Sequence, residues 1–142
     1  MASAIEQAER MGRARALACL FIAALILSLL LASFGPTGAD FVRGLWMGVT
    51  LTATLYIPPI SRWLKPGSAV AQLLDDESTR EHRRLASTAG LVATVAAALA
   101  MAFITADGPV VSSFDTARVI ATAAMVASLV SFATLELRAA RG

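Results

Sequence analysis

Charge is scarce in this chain and unevenly placed. Charged residues make up 15% of its 142 positions and hydrophobic ones 57%, where a water-soluble domain carries about 25% charge. No Asp, Glu, Lys or Arg occurs in 16–39, 44–61, 85–106 or 119–135. Four such gaps argue against a soluble globular enzyme. Cysteine is also nearly missing. Cys19 stands alone inside the first gap, which excludes a disulfide within the chain and a cysteine-based metal cluster. Lysine is reduced to Lys65 against eleven arginines, a usage that suggests a high-GC bacterial genome.

What is there fits four segments crossing a hydrocarbon layer about 30 Å thick, which needs about 20 apolar residues per helix. The expected fold is an all-α membrane protein, a single integral membrane domain built as a four-transmembrane-helix bundle. Its helices are expected at about 14–34, 41–57, 85–105 and 117–137, with a cytoplasmic loop at 58–84. The first segment is too long for a signal-peptide core and lacks a small-residue cleavage pattern, so it reads as a retained helix. Pro58-Pro59 stops the second helix, because proline donates no amide hydrogen and its ring clashes with the preceding turn. Asp107-Gly108-Pro109 ends the third.

Basic residues then set the orientation. With four crossings, ten of the twelve fall on the side of the two termini and the 58–84 loop, leaving Arg43 and Arg118 on the other. Lys and Arg beside membrane segments resist translocation, so both termini are expected in the cytoplasm of a bacterial inner (plasma) membrane. The same placement ties the net charge of +2 to membrane orientation, and no direct nucleic-acid binding is expected.

The two turns on the other side echo each other. Thr37-x-x-Asp40-x-x-Arg43 and Ser112-x-x-Asp115-x-x-Arg118 each follow a Gly-Pro. A hydroxyl there caps free backbone amides, an Asp suits the positive helix end, and an Arg one turn on can pair with it. The chain thus reads as two helical hairpins, by duplication or by convergence on good caps. Asp40–Arg43 and Asp115–Arg118 are expected as charge pairs or lipid-headgroup contacts. The sharper alternative places both arginines at the mouth of an anion-collecting vestibule. Mid-membrane ionisable residues, which proton-coupled pumps use, are missing.

Small residues recur every fourth position: Gly44, Gly48 and Thr52; Gly90, Thr94, Ala98 and Ala102; Ala123, Ala127 and Ser131. Such stripes let helices approach closely in lipid and are assigned to helix packing within the bundle or against another protomer or subunit. The leucine-rich first helix, with Leu25, Leu27, Leu29, Leu30 and Leu31, reads as lipid-facing. Trp46, Tyr56 and Trp63 read as ring anchors at the membrane boundary.

The remaining ordered feature is the run 75–84. Val70, Leu73 and Leu74 share a helical face suited to the membrane interface, and a second helix beginning at Asp75 runs on into the third crossing. Asp76, Glu77, Arg80, Glu81, His82, Arg83 and Arg84 form either a solvated, self-neutralised extension or a partner-docking surface. Glu81 and His82 are adjacent and point to different helix faces, so no metal site is expected from them. The stretch Asp76-Glu77-x-Thr79-Arg80-Glu81-x-Arg83-x-x-Ala86 resembles the cytoplasmic D-E-R-T-R-E-I-R-x-x-A stretch of small, uncharacterised bacterial four-helix membrane proteins, with departures at Ser78 and His82. The resemblance spans about eleven residues. It implies a fold and a topology, and, since some such proteins are encoded beside small helix-turn-helix regulators, a cytoplasmic partner.

With no nucleophile–base pair, metal cluster or phosphate loop in view, the expectation is a non-enzymatic membrane protein with no catalytic residue, cofactor or metal. It would act through protein contacts, as an accessory subunit or an anchor for a cytoplasmic regulator. Membrane lipids and a homo-oligomer or larger complex complete the expected partners. A small oligomeric transporter or channel for a small solute or anion is the alternative.

Overall fold

The computed structural model describes residues 2–35, 39–56, 77–106, 108 and 110–139, and the described residues are helical apart from short turns. Four helices follow in order: α1 Ala2–Ala32, α2 Ala39–Tyr56, α3 Glu77–Ile104 and α4 Ser113–Ala139. The expectations for Trp63, Val70, Leu73, Leu74 and Asp76 lie outside the described residues, as do those for the side chains of Tyr56 and Glu77.

Three helices are long and apolar enough to cross a membrane, over Arg10–Ala32, Thr79–Ile104 and Ser113–Ala139. α2 is shorter. Its 18 residues span about 27 Å at 1.5 Å per residue, and Asp40, Arg43, Thr50, Thr52 and Thr54 dilute its apolar content. Thr52 and Thr54 turn their hydroxyls onto the carbonyls of Gly48 and Thr50, at 2.8 and 2.9 Å. These two hydroxyls are thereby satisfied within the helix, as an apolar surrounding demands, while Thr50 Oγ1 is buried without a hydrogen-bond partner among the described residues.

α4 is the organising element. It packs along α3 on one side and α1 on the other, α1 packs along α2, and α2 makes a minor contact with α4. The order across the molecule is therefore α2, α1, α4, α3, and among the described residues α2 and α3 do not pack together to close a ring. The core lies between α1 and α4, where Ala16, Cys19, Ala23, Ile26, Leu29 and Leu30 meet Leu129 and Ala133, with Trp46 and Ala53 joining from α2. Leu29 and Leu30 are thus core residues, while Leu27 and Leu31 face outward. Apolar side chains also cover the outside, including Leu91, Val92, Val95, Leu99 and Phe103 on α3 and Phe41 and Leu51 on α2. So extensive an apolar exterior suits lipid, since hydrophobic burial provides no reason to hide it there.

Turn chemistry fixes the helix ends. Ser33 and Gly35 close the last turn of α1 by bonding back to the carbonyls of Leu29, Leu30 and Ala32. Between α3 and α4, Gly108 has φ +138°, a conformation that glycine adopts without steric cost.

Candidate functional site

Buried charge is the feature that needs explaining in so apolar a molecule, and it is gathered near the two ends of α4. At the N-terminal end the Ser112 hydroxyl accepts the Asp115 backbone N–H at 3.1 Å and donates to Asp115 Oδ2 at 2.7 Å. This is a local variant of the capping pattern: the hydroxyl covers a helix-end amide, and the carboxylate turns back onto the same hydroxyl. Arg118, one turn on, donates from Nη1 to Asp115 Oδ1 at 2.7 Å.

Arg118 is enclosed rather than snorkelling, with 1% exposure. Its Nη2 donates to the hydroxyl of Ser33 at the end of α1, which in turn donates to the Leu30 carbonyl. Three rings surround the guanidinium, with centroids at 5.2 Å for Trp46, 5.5 Å for Phe114 and 6.0 Å for Phe34. Trp46 is itself buried and donates from Nε1 to Thr122 Oγ1 at 3.0 Å, so it is an inter-helix tie rather than a boundary anchor. One arginine thus joins α1, α2 and α4. A buried guanidinium is tolerable only when its charge is met, and here a carboxylate, a hydroxyl and three ring faces meet it. Nε has no hydrogen-bond partner.

The other half of the echo forms the same Asp–Arg pair and is placed differently. Arg43 Nη1 donates to Asp40 Oδ1 at 3.1 Å, with the Asp40 side chain almost wholly exposed. Among the described residues each of these two arginines, Arg43 and Arg118, already has a carboxylate partner, and the helix N-terminus that would otherwise attract an anion already holds Asp115.

A second cluster lies near the C-terminal end of α4, centred on Glu136, which sequence reasoning did not single out. Arg15 of α1 donates from Nη2 to Glu136 Oε1 at 2.9 Å, and His82 Nδ1 of α3 lies 3.4 Å from the same oxygen. All three side chains are largely buried, and Arg15 lies over the Phe132 ring at 4.8 Å. The available signal was the isolation of Glu136 as the sole acid in the second half of the last helix. An acid beside a lipid-crossing segment needs a partner.

The run on α3 is consequently split. His82 turns inward to Glu136, Arg83 is half-buried, and Arg80, Glu81 and Arg84 are exposed. The small-residue positions divide too. A Cβ on Gly90 would collide with Ser128 Oγ and lie 3.2 Å from the Ala124 carbonyl oxygen, so α3 and α4 cross closely there. Thr94 bonds back to the Gly90 carbonyl at 2.8 Å, Ala98 is half-buried, and Ala102 is exposed. On α2, a Cβ on Gly44 or Gly48 would meet nothing within 4 Å. Among the described residues no group of three or more His, Cys, Asp or Glu is arranged to hold a metal. No family model, curated protein or solved structure matches this chain.

Proposed function

We propose that this chain is a non-enzymatic, four-pass bacterial inner-membrane protein with both termini in the cytoplasm, acting as an accessory subunit or anchor that holds a cytoplasmic partner on the first turns of α3. One observation carries this reading. α3 begins at Glu77, before its apolar stretch, and the helix continues through 85–104 without a break. Arg80, Glu81 and Arg84 are presented outward on that extension while His82 is turned in to Glu136. A charged surface on a helix docked to its neighbour is pre-organised for recognition, which lowers the ordering cost of binding, and the sequence of charges supplies selectivity. The alternative, an oligomeric anion transporter with Arg43 and Arg118 at its mouth, draws less support, because Arg118 is enclosed and committed to Asp115 and Ser33.

The test is a charge swap at exposed positions, Glu81→Arg with Arg84→Glu. It preserves net charge, and at exposed helix positions it should change stability by no more than about 0.5 kcal/mol. A photocrosslinker at position 80 identifies what lies against α3 in native membrane. The proposal expects one cytoplasmic protein in stoichiometric adduct with the wild type and its loss in the swapped chain at equal membrane level. An adduct pattern unchanged by the swap, or one made only of lipid, contradicts it.

A further inference from the structure

The Glu136 cluster joins three helices through one carboxylate oxygen, and one of its three members is an imidazole. Imidazole is the side chain whose charge commonly switches between about pH 5 and 8. We infer that His82, Glu136 and Arg15 form a protonation latch that fastens the first turns of α3 to α4 when His82 is charged and loosens them as pH rises.

The geometry supports this in three ways. First, the position is mechanical: His82 lies in the second turn of α3, so this contact ties the first turns of the helix to α4. Second, the His82–Glu136 separation of 3.4 Å is long beside the 2.9 Å from Arg15 to the same oxygen. Protonated His82 turns this loose contact into a charge-assisted hydrogen bond, which is shorter and roughly twice as strong. Third, the site is largely enclosed, so water weakens the added attraction less than at a surface pair.

The charges facing His82 set the sign. From α4 there is Glu136, which attracts the imidazolium; Arg138, further along, is exposed. From α1 there is Arg15, on the same oxygen, which repels it. On α3 itself Glu81 is exposed and Arg83 half-buried. The Glu136 carboxylate is the charge in contact with the imidazole, so protonation closes the latch. The hold is present when His82 is protonated and is lost when the imidazole is neutral.

The experiment is a distance measurement on the full chain in lipid nanodiscs. Spin labels are placed at the exposed positions Arg84→Cys and Arg138→Cys in a Cys19→Ala background, and read at about pH 5.5 and pH 8. The latch predicts a narrow distribution at pH 5.5 that broadens at pH 8, with the detached fraction rising about fivefold. His82→Gln should read broad at both values and His82→Lys narrow at both. These readouts concern the helix alone, so they stand or fall apart from the docking partner. A wild-type distribution unchanged by pH, one that broadens on acidification to pH 5.5, or a pH response that survives in His82→Gln overturns the latch.

Discussion

Asp40–Arg43 and Asp115–Arg118 are written alike in the sequence, and both form the i,i+3 pair. Yet one lies at an exposed edge on α2 and the other is sealed between three helices. The difference comes from neighbours that the motif does not contain. Ser33, Phe34 and Trp46 arrive from α1 and α2 and enclose Arg118, whereas the Asp40 side chain on the first turn of α2 is almost wholly exposed. A local motif therefore determines who pairs with whom, and helix order determines what the pair is worth. In the open setting an ion pair contributes about 0–1 kcal/mol. In the closed one, removing a partner strands a buried charge, at about 3–5 kcal/mol.

The largest expected effect follows from that contrast. Arg118→Met should cost about 3 kcal/mol or more by stranding Asp115 and releasing Ser33, visible as a large fall in thermal stability in detergent. Arg118→Lys should recover part of it, since lysine restores the charge without the two-pronged reach. A Met variant as stable as wild type would break the comparison.

Next comes the close crossing between the two ends of α4. Gly90→Ala forces a methyl group against Ser128 and Ala124 and should cost about 1–3 kcal/mol, with partial rescue by Ser128→Ala. Gly48→Ala, which meets open space, should change stability by no more than about 0.5 kcal/mol. Equal losses at both glycines would mean that α2 is covered by protein at this face.

Smaller again is the tie from α2. Trp46→Phe keeps a ring against Arg118 but leaves Thr122 without its donor, an expected loss of about 1 kcal/mol. Adding Thr122→Val should restore much of it, because replacing both partners removes the unsatisfied group. The double-mutant cycle in the same melting assay checks this.

How legible this was from sequence can be argued residue by residue. The helices could be read because lipid imposes long uncharged stretches, and the ends because Ser112, Gly108 and Asp115 act locally. Burial could not. In water a helix advertises its buried side by alternation, but in lipid both faces are apolar, so Leu30 and Leu31 look the same although one is core and the other outside. The same ambiguity made Gly48 and Gly90 look equivalent. Glu136 went unremarked because its partners, Arg15 and His82, are on other helices and no spacing rule connects them.

The central claim is that one motif has two energies because of where helix order puts it. Its most direct test is thermal unfolding in detergent of Asp40→Asn and Asp115→Asn side by side. The account predicts that Asp40→Asn melts with the wild type while Asp115→Asn melts clearly lower. Equal melting temperatures for the two variants would contradict it.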